Sequence, residues 1–392
     1  MASVNVVRKR TVRVHPGLKL QFDYWMLLIM AGLLILGMLI VYSTTFWLGI
    51  EAKDGDAFYY IRRQFVALLL GGLGIIIFMQ FDYHILRRFS VPLLIITLLG
   101  LVLVLFFGEA IFGARRGIVD GSYQPSEVAK LATFIYIAHW LSSKGDRIKD
   151  VTYGLIPFSV ITGTVCALIV LQPDLSTSGL VALVSFTLFF VAGADWRQFA
   201  AAGLIGGAVF FFLITTLPHA SARLAEYLQT LQDPSLAGWQ VRQAIVALGR
   251  GGVFGVGLGA GIQKYGALPA AHTDGVFAIL GEELGLIGTV ACTILLALLV
   301  WRGLLTVWRA RDGFGALLAL GITCWIGYQS LINIAVITAV MPFTGIPLPF
   351  LSYGGSSLLI TLLGMGILLN ISRDAAITQR DQPKSRRLEI RD

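Results

Sequence analysis

Long apolar runs, separated by short charged segments, constrain this chain more than any other feature. Ten runs are long enough to cross a bilayer, near residues 24–46, 64–81, 89–107, 125–141, 154–171, 178–193, 197–217, 276–301, 315–340 and 350–371. Run four is weakened by ionisable residues, and run six is short. Lipid offers the backbone no hydrogen-bond partners, so each run is predicted to be a helix. The sequence therefore predicts an all-α, polytopic integral membrane protein.

The composition excludes an ordinary soluble domain. Of 392 residues, 56% are hydrophobic and 13% are charged, whereas soluble domains average about 45–50% apolar and roughly 25% charged. The first run follows a basic segment and has no small-residue cleavage site, so we expect it to remain as a membrane span.

The basic residues indicate the orientation of the spans. With the N-terminus in the cytoplasm, about twenty Lys and Arg fall inside and about nine outside, with one in a span. This bias favours an even number of spans and two cytoplasmic tails, residues 1–23 and 373–392, around a membrane domain at 24–372. The net charge of +8 is thus explained by topology and anionic lipid, and no nucleic-acid partner is predicted.

Residues 218–275 form one long outer segment between runs seven and eight. It contains a helical stretch at 222–231 and a glycine-rich stretch, "GRGGVFGVGLGAG", at 249–261. The latter lacks the G-x-x-x-x-G-K-[ST] pattern of a nucleotide site. We expect an interfacial, partly folded segment whose glycines let the backbone approach a ligand or the membrane surface.

Ionisable residues at membrane depth are candidate functional groups because they are costly there. Residues 113–134 read "GARRGIVDGSYQPSEVAKLATF". Glu127 and Lys130 are three apart near a helix start and can pair, either to hold two helices together or to line a polar cavity. Arg115 and Arg116 lie just outside and can anchor headgroups or bind a phosphate.

The stretch "LPAAHTDGVFAILGEELG", residues 268–285, holds three more acids. Asp274 is predicted near the first turn of span eight, where a helix N-terminus keeps a carboxylate ionised. Glu282 is about 80° further round the helix, so both acids can line one cavity, while Glu283 points elsewhere. Lys264 lies ten residues upstream. Asp274 can alternatively be only a helix N-cap.

Other polar residues have weaker assignments. Asp174, in "LQPDLSTSG", suits a turn. Ser356 follows Gly354 and Gly355 in "GIPLPFLSYGGSS", where it can assist helix packing or face a polar cavity. Gln329 and Asn333 share a helix face and can hydrogen-bond a neighbouring helix.

The outward-facing set mixes carboxylates with cations, which suits a substrate that is both anionic and lipid-attached. Its members are Arg115, Arg116, Glu127, Lys130, Lys264, Asp274 and Glu282.

Four of these motifs, "QPSEVAK", "LQPDLSTSG", "AHTDGVFAILGEELGLIG" and "GIPLPFLSYGGSS", resemble signatures of the SEDS family, the FtsW/RodA proteins. The resemblance spans nearly the whole chain and favours the FtsW division type. It implies ten spans with both ends in the cytoplasm of a bacterium. It also implies a peptidoglycan glycosyltransferase that polymerises lipid II into glycan strands at the outer face of the plasma membrane.

The resemblance implies roles for individual residues. The essential family aspartate corresponds to Asp274, the glutamate–lysine pair to Glu127 and Lys130, and the upstream basic residue to Lys264. Three positions depart from the family pattern. Ala270 replaces a glutamate and Gly275 a phenylalanine, both beside the proposed centre, and an arginine–tryptophan pair is here Arg115-Arg116.

The implied chemistry gives Asp274 the part of general base, which takes a proton from the attacking sugar hydroxyl. Basic residues and a divalent cation, Mg²⁺ or Mn²⁺, then stabilise the lipid pyrophosphate leaving group. Asp274 is also a candidate metal ligand. The predicted substrate-binding residues are Arg115, Arg116, Glu127, Lys130, Lys264, Glu282 and Ser356.

The expected partners are a class B penicillin-binding protein (a transpeptidase), lipid II with its undecaprenyl lipid, and other divisome or elongasome membrane proteins. Two alternatives stay open at this point. A lipid II flippase needs Glu127 and Lys130 more than Asp274, although no clear inverted repeat with broken helices supports it. A non-catalytic scaffold needs neither.

Overall fold

A computed structural model describes residues 22–107, 109–111, 114–117, 124–233 and 237–381. These residues form α1 (Tyr24–Ala52), α2 (Tyr59–Gln80), α3 (His84–Phe107), β1 (Glu109–Ile111), β2 (Ala114–Gly117), α4 (Pro125–Lys144), α5 (Ile156–Val170), α6 (Leu175–Val191), α7 (Trp196–Thr216), α8 (Pro218–Gln232), α9 (Trp239–Gly251), α10 (Val276–Arg309), α11 (Gly313–Ile337) and α12 (Gly355–Asp381). A 3₁₀ turn (Gly145–Lys149) and a π-helical turn (Val151–Leu155) join α4 to α5.

The helical membrane fold predicted from the sequence is confirmed, since one helix corresponds to each apolar run. Within the described ranges, eight helices are long and apolar enough to cross a membrane. The other two are α4, which contains Glu127 and Lys130, and α6, which has only 17 residues. These are the two runs that were weakest in the sequence. The segment between α7 and α10 contributes α8 and α9.

The first and last spans meet at one end of the helix bundle. Asp23 caps α1 by accepting a hydrogen bond from the backbone N–H of Met26 at 3.0 Å. Its carboxylate also pairs with Arg302, late in α10, at 2.6 Å. The backbone N–H of Asp23 donates to Ser372 Oγ, near the end of α12, at 3.3 Å. The start of the first span and the end of the last span therefore lie on the same side of the bundle, as an even number of crossings requires. That this side is cytoplasmic stays a prediction.

The packed core lies around α4, α11 and α12. Trp325 of α11 and Phe134 of α4 are fully buried, with ring centroids 6.1 Å apart. In α7, by contrast, Gln198 is the only buried residue. Apolar side chains gain little by leaving lipid, so packing rather than the hydrophobic effect holds such helices together. The polar site described below is built on the tightly packed helices.

The glycine-rich segment forms hydrogen bonds with the backbone of α10 at a break in that helix. Gly285 has φ 67° and ψ −164°, which interrupts the helix and leaves backbone groups without helical partners. The N–H of Val256 donates to the carbonyl of Glu282 at 3.0 Å, and that of Leu286 donates to Gly252 at 2.9 Å. A Cβ on Gly255 would lie 2.2 Å from the Glu283 carbonyl oxygen. The sequence predicted a close backbone approach to a ligand or the membrane surface, whereas the approach that the structure shows is to the break in α10.

A short antiparallel hairpin, β1–β2, was not predicted from the sequence. It pairs Ala110 with Arg115 and places Arg115 and Arg116 on β2 before α4 begins. Strands of three and four residues are too short to give an alternating pattern.

Candidate active site

Asp274 lies in a loop, residues 264–275, that leads into α10. The helix begins at Val276 with Gly275 as its N-cap, and no side chain caps it. Asp274 is therefore not a capping residue, and the capping alternative is wrong. Its half-buried carboxylate accepts a hydrogen bond from Thr273 Oγ1 at 3.1 Å. Within the described residues it forms no salt bridge.

Burial raises the pKa of Asp274 above the ordinary aspartate value. Hydrogen bonds from Thr273 and from nearby backbone N–H groups, together with the positive charge of Arg223, act in the opposite direction. The sequence predicted that a helix N-terminus would favour the ionised form, but desolvation is the larger effect here. A carboxyl with a raised pKa binds a proton more readily, which suits a general base.

Asn333 fixes the backbone beside Asp274. This buried amide, on α11, donates to the carbonyl oxygen of Asp274 at 2.9 Å and to that of Ile346 at 2.7 Å. It thus joins the Asp274 loop to the loop between α11 and α12. A Cβ built on Gly345 in that second loop would lie 3.5 Å from Asp274 Oδ2. The sequence placed Asn333 on a helix face but gave no sign of this connection.

Glu127 and Lys130 form the predicted ion pair. Their side chains are 5% and 2% exposed, and Lys130 Nζ lies 2.8 Å from Glu127 Oε2. Lys130 also donates to Gln329 Oε1 at 3.3 Å and lies over the Trp325 ring at 5.1 Å. The amide of Gln329 in turn donates to the carbonyl of Pro347 at 2.8 Å. The pair therefore supports the same loop that Asn333 holds.

Lys264 is enclosed by partners. Its ammonium group donates to Glu283 Oε1 at 2.7 Å, to Ser43 Oγ at 2.6 Å and to the carbonyl of Gly259 at 2.7 Å. An ammonium group has three hydrogens, so all of its donors are used. The geometry favours a clamp that ties α1 and the glycine-rich segment to α10. Substrate binding by Lys264 stays a prediction that this geometry does not favour.

Glu282 is fully buried and binds the residues that directly follow the glycine-rich segment. Its carboxylate accepts the backbone N–H groups of Ile262 and Gln263, each at 3.1 Å. Arg250 lies 3.2 Å away as its charged partner. The sequence placed Glu282 and Asp274 on one helix along one cavity. That placement is wrong because Asp274 precedes the helix. Substrate binding by Glu282 stays a prediction.

The remaining predicted residues lie near the start of α4. Ser356 accepts the backbone N–H of Gln124, the N-cap of α4, at 3.2 Å. Arg115 and Arg116 are on β2, and their side chains lie outside the described part of the structure. Asp174 follows the turn at 171–173 and caps α6 by accepting the N–H of Thr177 at 3.1 Å, so the structure adds a helix cap to the predicted turn.

Arg223 of α8 was missed by the sequence analysis. Its guanidinium lies over the Phe343 ring at 5.2 Å and donates to the Thr344 carbonyl at 3.5 Å. It therefore reaches the loop that faces Asp274. The available signal was its position in a helical stretch of the long outer segment, but sequence alone gave no distance to Asp274.

The model of the FtsW/RodA/SpoVE family, described as cell cycle protein, matches residues 24–377. The chain belongs to this family. A probable peptidoglycan glycosyltransferase FtsW from Geobacter sulfurreducens is 39% identical over 356 residues, 90% of this chain and 95% of that protein. Stage V sporulation protein E of Bacillus subtilis is 40% identical over 359 residues, with 90% and 97% coverage.

Solved structures give the same result for the fold. A chain from a peptidoglycan synthase complex that coordinates polymerization and crosslinking superposes with a TM-score of 0.72. It is 29% identical, and the match covers 91% of this chain and 99% of that chain. Rod shape determining protein RodA of Thermus thermophilus gives 0.67 at 28% identity, with 91% and 98% coverage. The FtsW-type membership expected from the motifs is confirmed, and with it the multi-pass membrane localisation.

Two departures from the family motif can now be placed. Ala270 has φ 51°, its methyl group is exposed, and its carbonyl accepts the N–H groups of Thr273 and Gly275. A Cβ on Gly275 would lie 3.1 Å from Leu268 Cδ2. In this family member the turn before Asp274 is therefore formed by backbone contacts, and a side chain at 275 would need Leu268 to move.

Proposed function

We propose that this chain polymerises lipid II into glycan strands with Asp274 as the general base. Its family makes it a peptidoglycan glycosyltransferase, a multi-pass enzyme of the bacterial plasma membrane. The observation that supports the catalytic assignment is the environment of the Asp274 carboxylate. Asp274 is the carboxylate near the outer end of α10 that has a raised pKa and no salt bridge in the described ranges.

The reaction joins two lipid-linked saccharides. A sugar hydroxyl attacks the anomeric carbon of the donor, and Asp274 accepts the hydroxyl proton as the new C–O bond forms. The bond from the anomeric carbon to the lipid pyrophosphate breaks, and its electron pair leaves with the pyrophosphate. A positioned base of this kind typically contributes about 10²–10⁴-fold to the rate.

The leaving pyrophosphate needs positive charge close by. Lys130 and Lys264 are buried and already bonded to carboxylates, so we assign them to support rather than to phosphate binding. Arg115 and Arg116 on the hairpin before α4 remain the proposed phosphate ligands. Arg223 is a third candidate because it reaches the loop beside Asp274.

A divalent cation, Mg²⁺ or Mn²⁺, is also part of the proposal. Within the described residues no group of three His, Cys, Asp or Glu side chains can hold a metal ion. Mg²⁺ often binds through one or two carboxylates with waters and substrate phosphates. Asp274 fits such a site as a single carboxylate that forms no salt bridge in the described part of the chain. When bound, the cation would neutralise charge on the pyrophosphate.

A transpeptidase partner is proposed on the basis of the structural neighbour. That chain comes from a synthase complex in which polymerization and crosslinking are coordinated. We propose that a class B penicillin-binding protein associates with this chain in the same way, along with other membrane proteins of the division or elongation machinery.

The function is tested with the purified chain and its cognate transpeptidase, labelled lipid II and Mg²⁺ or Mn²⁺. We expect long glycan chains from the wild type and none from a folded Asp274→Ala variant. Asp174→Asn is the matched control, because asparagine also caps helices well and α6 should be unaffected. Equal polymer from Asp274→Ala and wild type would remove Asp274 from the mechanism. Absence of polymer from the wild type would favour lipid transport.

A further inference from the structure

Three rings form a cluster at the outer face next to Asp274. Tyr60 is at the start of α2, His272 is two residues before Asp274, and Tyr353 is two residues before the start of α12. Their ring centroids are 5.3 Å apart for the two tyrosines, 6.0 Å for Tyr60 and His272, and 5.7 Å for His272 and Tyr353. The N–H of Tyr353 donates to the carbonyl of His272 at 2.8 Å. The ring cluster is thus fixed to the Asp274 loop by the backbone.

The polar atoms of the ring cluster are not used by the protein. Among the described residues, neither tyrosine hydroxyl and neither imidazole nitrogen has a hydrogen-bond partner. All three side chains are half-buried, and none of these atoms is fully enclosed. Because these atoms are not enclosed, a ligand can reach them and form hydrogen bonds with them.

The ring cluster combines apolar ring faces with polar edges, the tyrosine hydroxyls and the imidazole nitrogens. Such a surface suits a ligand with an apolar face and a rim of hydroxyls.

A pyranose ring has that shape. Its C–H groups can pack against an aromatic face, where the quadrupole is negative, and its hydroxyls can reach the tyrosine and imidazole edges. Arg63 adds a positive charge at the rim, where its guanidinium donates to Tyr59 Oη at 2.6 Å. An N-acetylated sugar held here would lie beside the carboxylate that we assign as the base.

We propose that Tyr60, His272 and Tyr353 form a saccharide-binding surface for an N-acetylated pyranose of the substrate. The inference rests on the proposed function. Two sources share this chemistry, the sugars of lipid II and those of the growing strand. The purely structural alternative is an aromatic anchor at the membrane interface, where tyrosines are common.

The test uses the full complex with its transpeptidase and compares Tyr353→Leu and Tyr60→Leu with wild type. We expect KM for lipid II to rise about tenfold with little change in kcat, since ground-state and transition-state binding are lost together. Tyr353→Phe keeps the ring and removes the hydroxyl, so its effect should be smaller. Tyr265→Leu is the control, because Tyr265 forms an edge-to-face pair with Trp47 at 5.9 Å on the same outer segment.

A second arm separates the two sources. Lipid-free disaccharide and longer glycan fragments are bound to wild type and Tyr353→Leu, and product lengths are read on a gel. A rise in KM with weaker disaccharide binding assigns the surface to lipid II. Shorter products with weaker binding of the longer fragments assign it to the strand.

The inference is overturned if the ring variants match Tyr265→Leu in KM, product length and fragment binding while the wild type polymerises normally. A wild type that makes no polymer would instead count against the proposed function. Variants that fail to fold are replaced by Tyr353→Phe, whose fragment affinity must then fall below that of the wild type.

Discussion

Three ion pairs and a single aspartate lie near the starts of α10 and α4, and they differ in how their charges are compensated. The ion pairs, here called the paired charges, are Glu127 with Lys130, Glu283 with Lys264, and Glu282 with Arg250. The aspartate is Asp274, which has no salt bridge in the described part of the chain. Carboxylates in one region thus have different environments.

The difference distinguishes the paired charges, which have a structural role, from Asp274, which we assign to the reaction. A buried ion pair is fixed by its own partner, and removing one member leaves an uncompensated charge. The charged atoms of these pairs are already in contact with each other. Asp274 instead forms no salt bridge among the described residues, burial raises its pKa, and its carboxylate is available to a substrate. The paired charges hold the loops between which Asp274 works.

The largest expected effect comes from breaking a paired charge. Glu283→Gln leaves the Lys264 ammonium buried without its carboxylate, and we expect a loss of about 3–5 kcal/mol of stability. Thermal unfolding can be followed by the reaction of a thiol dye with Cys292, which is buried in the folded protein.

The matched control removes both charges, as in Lys264→Met with Glu283→Gln, and should recover much of the lost stability. The structural role of Lys264 is contradicted if Lys264→Met unfolds at the wild-type temperature yet abolishes polymerisation. That outcome would return Lys264 to substrate binding, as the sequence predicted.

The next effect comes from the amide that joins Asp274 to its surroundings. Asn333→Leu removes the hydrogen bonds to Asp274 and Ile346, and a displacement of about 1 Å at a catalytic group can cost on the order of 10²-fold in rate. We expect kcat for polymerisation to fall by that order while KM for lipid II changes little.

Asn370→Leu is the control, because Asn370 is also a buried amide that donates to two carbonyls, those of Phe78 and Phe81, near the opposite end of the bundle. Both variants should lose stability, but only Asn333→Leu should lose kcat. Equal kcat in the two variants would show that Asn333 does not position Asp274.

The smallest expected effect comes from changing the electrostatic potential at Asp274. Arg223 lowers the pKa of Asp274, so Arg223→Gln should raise that pKa further. The ionised base is then lost at higher pH, and the acidic limb of the kcat profile should move upward. Arg242→Gln removes a similar charge, over the Trp239 ring at 5.7 Å in α9, and should leave the limb in place. Movement in the other direction would contradict the electrostatic account.

The helices were predictable from the sequence because each apolar run imposes its own backbone hydrogen bonding on the chain. The Glu127–Lys130 pair was also predictable, since residues three apart share a helix face. Asp274 was identified by its motif, but its environment was not, because the start of α10 falls two residues after it.

Contacts between distant segments could not be predicted. Lys264 meets Ser43 across 221 residues, and Asn333 meets Asp274 across 59. No periodicity encodes such pairings. The glycine-rich segment shows the same limit, because its glycines indicated a close approach but not that the neighbour would be the break in α10 at Gly285.

The most direct test of the account is the pH dependence of kcat for polymerisation by the wild type in its transpeptidase complex. Asp274 must be ionised to accept a proton, so activity should fall as the pH drops through its pKa. The account predicts an acidic limb above the ordinary aspartate value of 3.8, and no such limb in the residual activity of Asp274→Asn. A limb at the ordinary value, or the same limb in both proteins, would contradict the claim that Asp274 is the desolvated, unpaired base.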